Sequence, residues 1–311
     1  MAGARPHRRA PVHVVVTGAA GGIGRAVAEA FASEGVSGVD TALTLVDVDD
    51  DGLAAAAAAL DAGQIRVDLA SPGGPGEAVD RAWEARGGVD VLVNAAGVYP
   101  SLDMIDVHVG EDGGAKAGAQ LWDRVFALNS RAPALATAAL ARRAVAASRP
   151  ASVVNISSGA ALRARPGGGP YAASKAALEM ATRAAALELG PHGIRVNAVS
   201  PGFVPVASNC NPVAPEYAAA VSPNPLGRPG TPEDVARAVR WIAGEEAAWI
   251  TGEILRVDGG SGTGAGHLPR LWPPGSANRP ANGSPNAPAP DAPGSGQAGN
   301  RGGNDTEGRT V

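Results

Sequence analysis

Cysteine is almost absent from this chain of 311 residues: Cys210 is the single one. That excludes an intramolecular disulfide framework and a multi-cysteine metal cluster, and no metal site is expected. It is compatible with a reducing compartment. Aromatic residues make up only 4%, so the core must close through small side chains and near approach of helix to sheet. A positive excess is missing too. Lys and Arg number 26 against 30 Asp and Glu, a net charge of −4, which leaves no electrostatic footprint for nucleic acid or an anionic membrane. No hydrophobic run approaches the length of a membrane span. Behind Arg5, Arg8 and Arg9 the apolar run from Val12 to Val16 is broken by His13 and ends at a glycine turn, too short for a signal peptide. These absences lead to the expectation of a cytoplasmic protein with a disordered basic leader, residues 1–11.

What is there is a chain with 45% hydrophobic residues, mostly Ala and Val, in a regular alternation. Short Val/Ile/Leu runs at Val12–Val16, Ala42–Val46, Ile65–Val67, Val89–Val93, Ser152–Ile156, Ile194–Val199 and Ile254–Val257 read as strands buried on both faces. Helical segments lie between them: Ile23–Ser33, Gly52–Leu60, Gly76–Arg86, about Gln120–Ser148 with a bend at Pro133, Tyr171–Leu189 and a helix from Thr231 to about Ala243. Strand–helix alternation predicts βαβ units, hence an α/β fold: a doubly wound, Rossmann-like three-layer sandwich on a seven-stranded parallel sheet. Residues 99–118 and 203–230 carry few signals for regular structure and read as loops, the second as a lid. From about Gly264 onward Pro, Gly, Asn, Ala and Ser dominate. Such a segment buries too little to offset its ordering entropy, so 12–263 is the expected folded domain and 264–311 a disordered tail.

Four stretches carry chemistry. The turn Thr17-Gly18-Ala19-Ala20-Gly21-Gly22-Ile23-Gly24 joins the first strand to the first helix. Glycines there allow a tight turn and close backbone approach, and the helix N-terminus offers N–H groups to a pyrophosphate; a ligand-free glycine turn is the plain alternative. Asp47 ends the second strand, where a carboxylate can accept from ribose hydroxyls and repel a 2′-phosphate, although Asp49–Asp51 make an acidic turn equally readable. Asp68 and Leu69 follow the third strand and could lie beside an adenine, or form an ordinary turn. Asn94-Ala95-Ala96-Gly97 ends the fourth strand with small residues that a flat cofactor would need, as would a tight turn.

The fourth stretch runs from Asn155 to Lys175. A strand delivers Ser157 and Ser158 to a loop, and a helix opens at Tyr171 with Lys175 four residues on, so phenol and ammonium share a helix face one turn apart. A free phenol ionises near pH ~10, and a cation beside it favours the phenolate. Ser158 stands thirteen residues before Tyr171 (158 to 171), where its hydroxyl can donate to a substrate oxygen. The set reads as a proton-transfer site for a carbonyl/alcohol pair. Ser157 is the rival serine.

In this order along one chain, Thr17–Gly24, Asn94–Gly97, Asn129, Ser158, Tyr171-xxx-Lys175, Arg195-Val196-Asn197-Ala198-Val199-Ser200-Pro201-Gly202 and Gly252–Gly260 resemble the short-chain dehydrogenase/reductase family, in its compact single-domain branch. The resemblance covers Val12 to about Gly260. It implies that Tyr171 is the general acid/base, that Lys175 holds the nicotinamide ribose and lowers the tyrosine pKa, that Ser158 orients the substrate oxygen and that Asn129 holds a water linking the lysine to solvent. Gly18, Gly22, Ile23, Gly24, Asp47, Asp68, Leu69, Asn94, Ala95, Gly97, Tyr171, Lys175, Pro201, Gly202 and Val204 would line the cofactor site, with NAD expected over NADP because of Asp47. Two departures stand out: Ala95 where the family often has a second asparagine, and Val206 where it often has a threonine that bonds the nicotinamide carboxamide, a part Ser208 could take. The expected activity is NAD(P)-dependent interconversion of a secondary alcohol and a ketone. Alternatives are an NADPH-dependent 3-oxoacyl or polyketide-type ketoreductase and a non-catalytic dinucleotide-binding scaffold. Tyr99, Leu162 and Phe203 join Ser158 and Tyr171 as expected substrate contacts, with Arg163, Val206 and Tyr217 as further pocket candidates. The family implies a homotetramer or homodimer.

Overall fold

The computed structural model describes residues 10–104, 114–206, 216, 218, 220 and 224–264, with the side chains of 114–117 excepted. Residues 1–9 and 265–311 lie outside it, as do Ser208, Cys210 and Tyr217, so the expectations for leader, tail and the middle of the second loop fall outside the described residues.

Seven strands form one sheet: β1 (Val12–Thr17), β2 (Thr41–Asp47), β3 (Gly63–Arg66), β4 (Val91–Asn94), β5 (Ala151–Ile156), β6 (Ile194–Pro201) and β7 (Ile254–Val257). Their order is β3-β2-β1-β4-β5-β6-β7 and every pairing is parallel. The helices between them are α1 (Gly22–Glu34), α2 (Asp50–Leu60), α3 (Gly74–Arg86), α4 (Gly114–Phe126), α5 (Ala132–Ala146), α6 (Gly169–Leu189) and α7 (Pro232–Ala243). Strand alternation divides the core. Val14 and Val16 pack with Val27 and Phe31 of α1, Leu53 of α2 and Val235, Val239 and Ile242 of α7. Val15 turns to the other face, with Val79 of α3, Leu140 of α5 and Ala186 of α6. The layers are helix, sheet, helix, as the alternation predicts. The scarcity of rings shows: Phe31 is the one aromatic in the buried core among the described residues. Strand order reverses between β1 and β4, and at such a switch point the carboxyl ends of the strands open a crevice for ligand.

The stretch Arg195–Gly202 turns out to be largely structural. The Arg195 guanidinium donates to the carbonyls of Ile242 (2.9 Å), Ala243 (2.8 Å), Gly244 (3.0 Å) and Ile250 (3.2 Å), satisfying the orphan carbonyls where α7 ends. Asn197 donates to the Ile250 carbonyl (3.0 Å) and accepts from the Glu253 N–H (3.0 Å). Together they tie the approach to β7 onto β6. At the start of α7, Thr231 and Asp234 form a reciprocal capping box, and Arg228 pairs with Asp234.

The long helix expected over about Gln120–Ser148 is not one helix bent at Pro133. It begins earlier, at Gly114, and breaks at a π-helical turn, Ala127–Arg131, ahead of the proline. Pro133 sits in the first turn of α5, where its missing N–H is tolerated. That absent donor lies one turn beyond Asn129, and the widened turn centres on the same residue. Single π-turns inside helices cluster at functional sites.

His13 on β1 is buried, with Nε2 2.9 Å from Thr44 Oγ1 and Nδ1 against the Gly88 carbonyl. Burial holds its pKa below the ordinary 6.5, and nearby Arg86 and Arg149 push the same way against Asp90. A lowered folded pKa means the unfolded chain takes up this proton first, so stability rises with pH across the window. The contribution is complete above about 6.5 and is lost as pH falls from there through the lowered folded pKa, with a slope of at most ~1.4 kcal/mol per pH unit for one proton. The thermal midpoint should therefore fall between pH 7 and pH 5, and less steeply in His13→Gln, as differential scanning calorimetry would read. An equal slope in the variant would assign the acid sensitivity elsewhere.

Candidate active site

The glycine turn and the ends of β1, β2 and β4 meet at the switch point. Gly18 has φ +68°, and a Cβ there would stand 2.8 Å from the Ala96 backbone; at Gly24 it would stand 2.1 Å from the Gly18 carbonyl oxygen. Both must lack a side chain for the turn to lie against β4 and for α1 to start where it does. The Thr17 hydroxyl accepts from the N–H groups of Ala95 (3.0 Å) and Ala96 (3.2 Å), lacing β1 to the exit of β4. No side chain caps the first turn of α1, so N–H groups there face the crevice available to an anion. Ile23 packs against the core behind the turn.

Asp47 is half-buried. Its Oδ2 accepts from the Ala20 N–H (3.0 Å), and its Oδ1 from Val48 (2.7 Å) and Asp49 (3.1 Å). The acid therefore stands beside the glycine turn as a ribose acceptor must, and also fixes that turn. Arg66 is its register partner on β3, exposed and 3.9 Å from Asp50. A lone arginine in a weak strand gave no sign of this neighbourhood, because strand register is invisible in the sequence. Asp68 is an exposed turn acid accepting from the Ala70 N–H at 2.9 Å, and Leu69 is buried in the core under the β4 end.

Asn94 does not face the crevice with its side chain. Its amide donates to Asn155 Oδ1 (2.8 Å), Asn155 donates to Thr182 (2.9 Å), and Thr182 donates to the Leu178 carbonyl (2.8 Å). This buried ladder runs from β4 through β5 into α6 and commits the Asn94 amide N–H to the fold. Ala95 is half-buried at the strand exit. Gly97 lies against both Asn129 and Lys175: a Cβ on it would come within 3.2 Å of Asn129 Oδ1 and 3.6 Å of Lys175 Nζ. Gly202 packs on Asp258, Val204 on Gly230, and the Phe203 carbonyl accepts from the Gly230 N–H at 3.0 Å. Val206 stands over the turn: a Cβ on Gly22 would be 3.7 Å from its side chain.

Helix α6 brings the reactive groups together. Lys175 is 5% exposed and donates to the Ile156 carbonyl at 2.7 Å. Burial pushes its pKa down to about 8, so the ammonium is still mostly protonated at neutral pH yet close to titrating. Its Nζ lies 5.8 Å from the centre of the Tyr171 ring, consistent with one helix face. The Tyr99 ring tilts against Tyr171 with centroids 4.3 Å apart, an attractive aromatic pair that puts one expected pocket residue directly on the phenol. Asn129 is fully buried. It accepts from the Val98 N–H (2.9 Å), donates to the Val98 carbonyl (2.9 Å) and reaches Ser174 (3.2 Å), which bonds back to the Tyr171 carbonyl (2.7 Å). Its side chain thus clamps the loop carrying Tyr99 to the helix carrying Tyr171.

The two serines separate. Ser157 is buried and donates to Glu179 at 2.8 Å; Ser158 is half-buried and accepts from the Ala160 N–H at 3.2 Å, capping a short 3-10 turn. Leu162, 53% exposed, borders a second hollow of about 180 Å³ shared with Glu179, Arg183, Glu253 and Arg256. Arg163 reaches toward Ser261. Among the described residues no group of His, Cys, Asp and Glu could hold a metal ion, and no helix is long and apolar enough to cross a membrane.

A parallel doubly wound sheet, a glycine-lined helix N-terminus at its switch point and a Tyr–Lys pair facing the same crevice define a dinucleotide-dependent oxidoreductase. The comparisons with known proteins agree. The family model described as "Enoyl-(Acyl carrier protein) reductase" matches residues 18–262. The short-chain reductase protein NovJ of Streptomyces niveus is 36% identical over 79% of this chain and 92% of its own length. The 3-oxoacyl-[acyl-carrier-protein] reductase FabG of Thermotoga maritima is 33% identical over 79% and 96%. A crystal structure of a dehydrogenase/reductase from Sinorhizobium meliloti 1021 superposes with a TM-score of 0.70 at 32% identity, over 81% of this chain and 96% of that one. The chain belongs to the short-chain dehydrogenase/reductase family and is an NAD(P)-dependent oxidoreductase acting on CH–OH groups and the corresponding ketones.

Proposed function

We propose that the protein uses NAD(H) to interconvert a secondary alcohol and a ketone, with Tyr171 as the general acid/base. The observation that carries this is the convergence of Tyr171, Lys175 and Gly97 beside Asn129, at the end of the crevice that Gly18 and Gly24 shape. A dinucleotide fits: the cradle at Gly18 and Gly24 is one a Cβ would fill, and the first turn of α1 has no side-chain cap of its own. Asp47 would accept from the adenosine ribose, Gly97 would leave room for the nicotinamide ribose, and Lys175 would donate to it. When bound, the nicotinamide supplies or takes the hydride.

In the reducing direction Tyr171 Oη gives its proton to the carbonyl oxygen as the carbinol forms; in the oxidising direction the phenolate takes it back. Lys175, kept cationic below about pH 8, stabilises that phenolate. Ser158 donates to the same substrate oxygen. The Asn129 amide is committed to Val98 and Ser174, so the water it would hold toward Lys175 falls to its backbone carbonyl, to which Pro133 offers no N–H. Tyr99 and Phe203, with Leu162 at the margin, would form the apolar contacts. The test is oxidation of NADH followed at 340 nm with a panel of ketones. Turnover with an apolar secondary ketone supports the reading, and turnover confined to primary aldehydes would contradict it.

Asp47 gives a cofactor preference that can be measured. Asp47→Asn removes the charge that repels a 2′-phosphate while keeping an acceptor for Ala20. Its NADPH-to-NADH dissociation-constant ratio is expected to fall about tenfold, the equivalent of ~1.4 kcal/mol, in fluorescence titrations. An unchanged ratio would remove Asp47 from the ribose site. A 3-oxoacyl-thioester ketoreductase using NADPH is the second reading, favoured by the similarity to FabG and by Arg66 standing opposite Asp47. Self-association through α5 and α6, as homodimer or homotetramer, is supported by exposed Leu135, Val145, Met180 and Leu187. A cytoplasmic location fits the near absence of cysteine.

A further inference from the structure

Helix α6 presents a third residue on the Tyr171–Lys175 face. Glu179 follows Lys175 by four positions (175 to 179), and only 4% of it is exposed. A buried carboxylate is costly unless it is bonded, and the bond it has is specific: Ser157 Oγ donates to Oε1 at 2.8 Å. Its ion-pair partner among the described residues, Arg183, is 4.0 Å away and half-exposed, a weak pairing. The hollow of about 180 Å³ flanks it on the β7 side, so close packing does not hold the carboxylate in place. The end of β5 is thus gripped by α6 at two successive residues. Lys175 holds the Ile156 carbonyl and Glu179 holds the Ser157 hydroxyl, immediately before Ser158. Without the second grip, Ser157 keeps only its backbone bond to Val199 at 2.8 Å, and α6 holds the approach to Ser158 through Lys175 at Ile156 alone.

We propose that Glu179 is a positioning residue: through Ser157 it fixes the Ser158 hydroxyl relative to Tyr171 and Lys175. The proposal rests on the ketone/alcohol reading above. A misaimed Ser158 weakens a bond made to the reacting oxygen, while the dinucleotide, held on the opposite side at Gly18, Gly24 and Asp47, is untouched. Small misplacements of catalytic groups are expensive in rate.

Glu179→Leu, Glu179→Gln, Ser157→Ala and the double variant Ser157→Ala/Glu179→Leu should be assayed for kcat, KM for ketone, NADH dissociation constant and thermal midpoint, with Tyr171→Phe alongside. Glu179→Leu is expected to lower kcat about tenfold or more at unchanged NADH affinity. Glu179→Gln, whose amide oxygen still accepts from Ser157, should recover most of it. Ser157→Ala should match Glu179→Leu, and the double variant should be no slower than either single one. Should Glu179→Leu fail to fold, Ser157→Ala carries the test, since it removes one hydroxyl. A kcat within twofold of the parent in Ser157→Ala, or multiplicative losses in the double variant, would overturn the proposal. If Tyr171→Phe is also unimpaired, the fault lies in the ketone/alcohol reading itself; if Tyr171→Phe collapses while the others do not, only the role of Glu179 fails.

Discussion

Tyr171→Phe is expected to cut kcat by about 10²–10⁴-fold, the range for loss of a positioned acid/base, with NADH affinity changed by less than twofold. The variant keeps the ring, so the contact with Tyr99 at 4.3 Å between centroids survives. The hydroxyl is also the only atom removed, so Lys175 retains its bond to the Ile156 carbonyl. What disappears is the proposed proton donor to the carbonyl oxygen. Steady-state kinetics with NADH and a ketone, beside a dinucleotide titration of the same preparation, separates the two effects. Parallel losses in binding and turnover would point to a collapsed site rather than a missing acid.

Gly24→Ala carries the second large effect, and its sign is diagnostic. In an ordinary helix interior the change from Gly to Ala stabilises by about 1 kcal/mol. At this position the new Cβ would stand 2.1 Å from the Gly18 carbonyl oxygen and 3.1 Å from that of Thr17, and both are backbone atoms with nowhere to go. Either α1 shifts away from β1 or the turn opens. Stability should fall by about 1–3 kcal/mol, as overpacked sites do, and dinucleotide affinity by at least tenfold, because the N–H groups of the helix end move off the crevice. Thermal unfolding and titration with NADH would read both. A more stable variant with intact binding would mean that the turn tolerates a looser geometry than the structure shows.

Much of this architecture is legible in the sequence. Seven strands announced themselves as continuous apolar runs because a parallel sheet is covered on both faces, and the glycine turn, Asp47 and the Tyr171–Lys175 spacing lie within local reach of the chain. What stayed hidden depends on contacts distant in sequence. Asn94 offered no hint that its amide would enter a ladder with Asn155 and Thr182. Asp47 showed no sign of Arg66 across the register. The break near Asn129 read as a proline bend, since Pro133 is the visible helix breaker and a π-turn has no local signature of its own. Ser157 and Ser158 look alike in the sequence, and only the contacts separate them: Asn155 and Ser157, two apart, both point toward α6, to Thr182 and Glu179. Ser158 lies beyond them in the following turn, and its substrate role stays a proposal.

The most direct measurement is an equilibrium titration of the unmodified chain with NADH and, separately, NADPH, followed by fluorescence or calorimetry. The expected result is saturable binding of one dinucleotide per chain, with NADH the tighter by about tenfold or more, if the proposed ribose role of the Asp47 carboxylate beside the glycine turn holds. Tighter binding of NADPH would contradict Asp47 as the ribose acid and turn attention to Arg66. Binding of neither would contradict the site itself.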